Sequence, residues 1–280
     1  MEQKIQYQIV KLLGTAVFLT AVFFAGRQAA VMVNGLVSGQ EMQEEEDDYS
    51  KMQKYCVVVD AGHGGSDPGK VGTNGALEKD INLAIAKRLA VLLEQSDVKV
   101  VMTREDDNSL NDSDADSKKV QDMKRRIALM EETDPDLVVS IHQNSYPTSD
   151  VKGAQVFYYT ASADGKQLAD IIQNRMIQGL DPQNHRMAKA NDSYYLLKKT
   201  TKPTVIVECG FLSNPEEAEL LCDKHYQERV AWQVHMGVIQ YLNSFSAQVA
   251  RGAEYSKYRV GALISLKSVY FYKNQGAGCQ

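Results

Sequence analysis

The feature that most constrains the fold is an alternation of short β-branched runs with helical repeats. The chain contains five short apolar runs rich in β-branched or aromatic residues: YCVVVDAG, DVKVVMTRED, DLVVSIHQN, GAQVFYY and PTVIVECG. Continuous apolar runs of this length are typical of buried strands. Between them, apolar residues recur every three or four positions, as at Ile81, Ile85 and Leu89, which is typical of an amphipathic helix. Strands that alternate with helices predict a layered α/β fold with a largely parallel sheet.

The first 54 residues have a different character. The run Leu12–Gly26 carries no charge and follows Lys4 and Lys11, which is typical of an export signal. Because no clear A-x-A cleavage site follows, we expect residues 1–37 to be an uncleaved hydrophobic anchor helix, with a cleaved signal or a buried core helix as alternatives. Residues 38–54 are acidic and polar, and we expect a linker there. The working part should then lie outside the cytoplasmic membrane.

Charge and cysteine usage exclude several classes of protein. The net charge of −5 gives no reason to expect a nucleic-acid partner, since such proteins favour a basic face. The four cysteines show no C-x-x-C spacing, so they indicate neither a disulfide framework nor a thiolate zinc site. Cys56 and Cys209 lie within apolar runs and are expected to be buried free thiols. A chain of 280 residues can form one large domain or two small ones.

Polar residues gather where the predicted strands end. His63 follows the first strand in a glycine-rich turn, His142 ends the third strand and Glu208 ends the fifth, while Glu78 opens the first helix. In open α/β sheets, sites form at the carboxyl ends of strands. Two histidines and a carboxylate suit Zn²⁺ with one position left for water, and a second carboxylate nearby suits a general base. The alternatives are satisfied polar residues at strand ends and a helix N-terminal carboxylate at Glu78.

Other polar residues keep two interpretations each. The loop from Asp107 to Lys119 is either a surface excursion or a rim of the site. Arg104 and Arg126 could each bind a substrate carboxylate or form a structural salt bridge. Asn144 could orient a ligand or substrate. The remaining histidines are expected to lie on the surface or to pack between helices: His185, His225 and His235.

Four stretches, in this order, resemble the zinc-dependent N-acetylmuramoyl-L-alanine amidases of bacterial cell walls: DAGHGGSDPGKVG…GALEKDINLA, VMTRED, SIHQNS and VIVECGFLSNPEEAELL. The resemblance implies a three-layer α/β/α sandwich over residues 55–245. It implies one Zn²⁺ per chain, bound by His63, Glu78 and His142, with Glu208 as the catalytic residue. It also implies a peptidoglycan substrate, cut at the amide between N-acetylmuramic acid and L-alanine. The stretches KVGTNGALEKDINL and SIHQNSY are most similar to the germination-specific branch, which implies spore-cortex maturation.

Two other functions stay open on the sequence. The chain could be another zinc hydrolase, such as a carboxypeptidase, on a related α/β scaffold. It could also be a non-catalytic wall-binding protein. The tail, residues 246–280, is basic, contains VGALISLKSVYFY and matches no part of the family pattern, so its role is unassigned. A regulatory partner is compatible with the resemblance but is not identified by it.

Overall fold

The computed structural model describes residues 55–244, which form a six-stranded sheet covered by helices. The predicted anchor (1–37), linker (38–54) and tail (246–280) lie outside the described residues. Residue 245, the last of the predicted catalytic domain, also lies outside them. The strands are β1 (Tyr55–Ala61), β2 (Val98–Met102), β3 (Leu137–Asn144), β4 (Gln155–Tyr158), β5 (Lys189–Ala190) and β6 (Thr204–Phe211).

The strand order is β2-β1-β3-β6-β4-β5, and every neighbouring pair is parallel except β4 with β6. The predicted mostly parallel sheet is therefore confirmed. The three central strands β1, β3 and β6 run in the same direction, so their carboxyl ends meet at one edge. His142 and Glu208 are direct register partners across β3 and β6. The sheet thus brings the ends of strands that are distant in sequence to one place.

Helices cover both faces of the sheet and give it three layers. They are α1 (Glu78–Glu94), α2 (Lys118–Thr133), α3 (Ala163–Gly179), α4 (Tyr195–Lys199), α5 (Pro215–Cys222) and α6 (224–244). On one face, Val57 shares a buried cluster with residues of α1, α3, α5 and α6. On the other face, Val58 packs in a cluster with Met130 of α2 and Leu197 of α4. Alternate residues of β1 therefore enter opposite cores, as a sheet buried on both sides requires.

Three elements are absent from the sequence-based prediction: β5, α4 and α6. β5 has two residues and α4 has five, which is too short for a periodic pattern to develop. None of the helices between residues 55 and 244 is long and apolar enough to cross a membrane.

The start of α5 shows one correct and one wrong expectation. The motif NPEE predicts a capping box, with Asn214 as N-cap and Glu217 closing back on it. The Asn214 side chain does accept a hydrogen bond from the Glu217 backbone N–H at 3.0 Å. The Glu217 carboxylate, however, accepts from the backbone N–H groups of Gly153 and Phe211 at 2.9 and 2.7 Å. These buried N–H groups need an acceptor, so the side chain turns away from the helix end.

Candidate metal centre

The turn that follows β1 places His63 in an unusual backbone conformation. Its φ is 62°, in the left-handed region that non-glycine residues seldom adopt. Arg126 donates from Nη2 to the carbonyl oxygen of His63 at 2.6 Å. Arg104 donates from Nε to the carbonyl of Ala61 at 2.9 Å and from Nη2 to that of Gly62 at 3.2 Å. Two buried guanidinium groups therefore hold three successive carbonyls of the turn. Arg126 also forms the structural salt bridge that was one of its two predicted roles. Arg104 instead donates to backbone carbonyls and forms no ion pair among residues 55–244.

Two aspartate carboxylates pair with the buried charge of Arg126. Arg126 is 1% exposed and lies 2.7 Å from the carboxylates of both Asp60 and Asp122. Burial alone would raise the pKa of Asp60, but Arg126 and the hydroxyls of Ser140 and Thr103 lower it to about 2. Asp60 is thus ionised at neutral pH, and the pair is both buried and hydrogen-bonded.

His63, Glu78 and His142 meet above the carboxyl edge of the sheet. Each offers one ligand atom, and these atoms all lie within 4.8 Å of one another. The Oε1 atom of Glu78 is 3.3 Å from Nε2 of His63 and 3.0 Å from Nδ1 of His142. Two imidazole nitrogens and a carboxylate oxygen form a donor set that could hold a divalent metal ion.

Glu78 is the buried centre of this cluster and is 2% exposed. Oε2 accepts from the backbone N–H of Lys70 at 2.7 Å, and Oε1 accepts from that of Gln143 at 3.1 Å. Burial disfavours its charge, yet hydrogen bonds and charge interactions with His142 and His63 outweigh burial and hold its pKa far below the usual range. The side chain is therefore a carboxylate, the form that binds metals.

Asp67 fixes the orientation of His63, and the sequence analysis did not find it. Its Oδ2 lies 2.9 Å from Nδ1 of His63, which leaves Nε2 directed at Glu78. A carboxylate on the outer nitrogen of a ligating histidine is a common support of metal sites. Lys119, which the structure places in the first turn of α2 and not in the predicted loop, lies 3.5 Å from the same carboxylate and contributes to the rim of the site. The signal available in the sequence was an aspartate four residues after His63.

Two glycines are required where the imidazole and carboxylate groups approach the turn. A Cβ on Gly62 would lie 2.3 Å from Nε2 of His142, and one on Gly69 would lie 2.5 Å from Oε2 of Glu78. Gly69 also has a φ of +66°. The glycine-rich turn therefore lets the backbone pass close against the imidazole and carboxylate groups of the site.

Glu208 lies beside the cluster, at the end of β6. It is 5% exposed, and Oε1 accepts a hydrogen bond from the phenol of Tyr194 at 3.1 Å. Oε2 is buried and has no hydrogen-bond partner among the described residues. Burial raises the pKa of Glu208, with His142 opposing the shift. Sequence reasoning missed Tyr194, because its contact with Glu208 depends on how α4 packs on the sheet.

The metal cluster, Asp67 and Glu208 share one cavity of about 520 Å³, lined by His63, Asp67, Gly69, Lys70, Glu78, Lys119, His142, Gln143, Asn144, Ser145, Tyr194 and Glu208. Asn144 reaches the cavity, and its side-chain oxygen accepts from the Ser145 N–H at 2.8 Å. The three other histidines lie elsewhere: His185 and His225 are exposed, and His235 packs with Nε2 2.8 Å from the Ser96 hydroxyl. The cysteines Cys56, Cys209 and Cys222 are free. Cys209 is buried as predicted, whereas Cys56 is only partly buried, so the prediction of burial is wrong for Cys56.

The fold and this site together define a class: an α/β protein with a candidate metal centre at the carboxyl edge of its sheet and a further buried glutamate beside it. A comparison with protein families then identifies the family to which the chain belongs. The model of the N-acetylmuramoyl-L-alanine amidase family matches residues 57–240, so the chain belongs to that family. The resemblance seen in the four sequence stretches is thereby confirmed, and with it the enzyme class.

Individual relatives agree with the family. The chain is 37% identical over 188 residues to the germination-specific N-acetylmuramoyl-L-alanine amidase of Bacillus subtilis (strain 168), a match that covers 66% of this chain and 78% of that one. The CwlD amidase of Clostridioides difficile, solved in complex with the GerS lipoprotein, superposes with a TM-score of 0.67 at 40% identity, covering 68% of this chain and 100% of that one. The amidase AmiC2 of Nostoc punctiforme gives 0.60 at 35% identity, covering 68% and 98%.

Proposed function

We propose that this chain is a zinc-dependent amidase that cleaves peptidoglycan between N-acetylmuramic acid and L-alanine. The observation that carries the proposal is the arrangement of His63, Glu78 and His142 within 4.8 Å beside a buried Glu208 with a free carboxylate oxygen. Membership of the amidase family supports the choice of substrate bond.

Three residues would hold the metal. His63 and His142 offer imidazole nitrogens and Glu78 offers a carboxylate oxygen, a set that suits Zn²⁺ and leaves room for water and substrate. The zinc ion, when bound, supplies Lewis-acid chemistry, making a water more acidic and polarising a carbonyl oxygen. Asp67 would keep the His63 ring in the required orientation.

Glu208 would carry the proton. Its free oxygen, Oε2, accepts a proton from the water whose oxygen forms the new bond to the lactyl carbonyl carbon. As the carbon–nitrogen bond breaks, the same oxygen returns that proton to the nitrogen of L-alanine. The products are a glycan strand with a free lactyl carboxyl and a stem peptide with a free amine. The burial that raises the pKa of Glu208 makes it a stronger base for this transfer.

The biological setting is also part of the proposal. A role in the spore cortex is supported by the match to the germination-specific amidase of Bacillus subtilis. We assign residues 55–245 to the catalytic domain, 38–54 to a linker and 1–37 to a membrane anchor that keeps the domain outside the cytoplasmic membrane. The complex of CwlD with a lipoprotein supports a lipoprotein partner for this chain as well.

The test uses the full chain, purified in detergent and incubated with peptidoglycan. Mass spectrometry identifies the new chain ends, with and without a chelator and after zinc is restored. Free stem peptides that begin at L-alanine, lost on chelation and regained with zinc, are the expected result. Cleavage inside the stem peptide would indicate the carboxypeptidase alternative. Zinc binding without any cleavage, on both vegetative and cortex peptidoglycan, would indicate a wall-binding protein.

A further inference from the structure

Tyr194 is a tyrosine of the cavity wall to which the function above gives no role. It lies immediately before α4, and its hydroxyl donates to Oε1 of Glu208 at 3.1 Å. A carboxylate only accepts hydrogen bonds, so the phenol is the donor of this pair. One oxygen of Glu208 is therefore occupied by Tyr194, and the other, Oε2, stays free in the buried wall of the cavity.

The ring of Tyr194 is held by contacts that do not involve Glu208. Its backbone N–H donates to the side-chain oxygen of Asn191 at 2.9 Å. The N–H of Asn191 in turn donates to the carbonyl of Tyr158, at the end of β4, at 2.8 Å. The ring also packs edge-on against Phe157, with the ring centroids 5.6 Å apart. The hydroxyl is thus placed by Phe157 of β4 and by the turn that follows β5, through contacts that do not use the Glu208 side chain.

We propose that Tyr194 is a positioning residue, whose hydroxyl binds Oε1 of Glu208 and so presents Oε2 as the oxygen that accepts and returns the proton. The proposal rests on the proposed function, since it specifies which atom of Glu208 acts there. Without the phenol, neither oxygen of the Glu208 carboxylate has a fixed hydrogen-bond partner. The side chain can then rotate so that neither oxygen faces the attacking water. Catalysis is sensitive to such rotation, because misplacement by about 1 Å can cost on the order of 100-fold in rate.

The matched pair of variants is Tyr194→Phe and Tyr195→Phe. Tyr195 is the next residue, is 47% exposed and does not line the cavity, so its variant controls for the loss of a phenol in this segment. On a soluble muramoyl-peptide substrate, we expect Tyr194→Phe to lower kcat by on the order of 10- to 100-fold with KM changed by less than about 3-fold. The zinc Kd, measured by calorimetry, should equal that of the parent, and Tyr195→Phe should equal the parent throughout.

Two further readouts separate positioning from other roles. In a Glu208→Gln background, Tyr194→Phe should cause no additional loss, since there is no proton acceptor left to position. In a crystal structure of zinc-loaded Tyr194→Phe, the Glu208 carboxylate should adopt a second rotamer while His63, Glu78 and His142 keep their places. An unchanged kcat, an equal loss in the Glu208→Gln background, a rise in KM alone, or an unmoved carboxylate would each overturn the proposal.

Failure of the proposed amidase function can be distinguished from failure of the Tyr194 proposal. In that case the parent chain leaves the muramoyl-L-alanine bond intact, whatever happens at Tyr194. The Glu208 rotamer in the Tyr194→Phe crystal structure still decides whether Tyr194 positions the carboxylate, because that observation does not depend on turnover.

Discussion

Arg126 and His63 lie 63 residues apart and are joined by a hydrogen bond of 2.6 Å, from the guanidinium Nη2 to the backbone carbonyl oxygen. The same guanidinium donates from Nη1 to the carbonyl oxygen of Ala61 at 2.8 Å. A buried cation therefore spans the turn in which His63 adopts its left-handed backbone. Arg126 thus stabilises the turn that carries His63 of the metal cluster. Its effect on folding stability can be measured separately from metal binding and catalysis.

Removing the cation should destabilise the whole domain. We expect Arg126→Met to lower the free energy of unfolding by about 3–5 kcal/mol, because Asp60 and Asp122 lose their buried partner. Denaturant unfolding measures this change. Arg125→Met is the control, since the neighbouring arginine is exposed and pairs with the exposed Asp112. Equal stability of the two variants would contradict a supporting role for Arg126.

The ion pair of Arg126 and Asp60 predicts that the folded domain loses stability in acid. The pKa of Asp60 is about 2 in the folded chain, below the value of roughly 3.9 expected when unfolded. A depressed carboxyl pKa stabilises the folded state above the unfolded pKa, and this stabilisation is lost as the pH falls through about 2. The contribution of Asp60 lost between pH 6 and pH 2 is roughly 2 kcal/mol.

Denaturant unfolding across this pH range, in the parent and in Asp60→Asn, isolates that contribution. Glu78, whose pKa is also lowered, acts in the same direction in both proteins and cancels in the comparison. The stability difference between parent and variant should narrow as the pH falls. A constant difference would show that Asp60 is not the titrating group.

Asp67 should control metal affinity through His63. We expect Asp67→Asn to weaken zinc binding by about 10- to 100-fold, since the neutral amide holds the imidazole less firmly and lowers its basicity. Calorimetric titration of the metal-free chain measures the Kd. The exposed Asp116, in the loop before α2, provides the control variant Asp116→Asn. If both variants bind zinc as the parent does, Asp67 does not support the ligand.

Glu208→Gln should separate metal binding from turnover. The amide keeps the shape of the side chain but cannot accept the proton, so kcat should fall by on the order of 10²–10⁴-fold. Zinc content, measured by elemental analysis, should stay at the parent level, because the proposed ligands are His63, Glu78 and His142. Parent-like turnover in this variant would remove Glu208 from the mechanism.

Much of this arrangement could be predicted from local patterns. His63, His142 and Glu208 end valine- and isoleucine-rich runs, and parallel strands bring such ends to one edge of a sheet. The Asn214 cap followed by proline also indicated the start of α5 correctly. Strands and helices with strong periodicity can be predicted from a few residues of sequence. The same holds for the polar residues at their ends.

Local patterns thus establish the order of five of the six strands and of α1, α2, α3 and α5, together with the polar residues that end the strands. Strand-end patterns left open which carboxylate contacts both histidines, the family resemblance implied Glu78, and the folded chain places Glu78 there. The tertiary structure alone decided that Tyr194 binds Glu208 and that Arg126 pairs with Asp60, 66 residues away. The physical reason is that hydrogen bonds and ion pairs of this kind depend on side-chain positions to within a few tenths of an ångström. Those positions are set by the packing of helices on the sheet, which no local sequence pattern records.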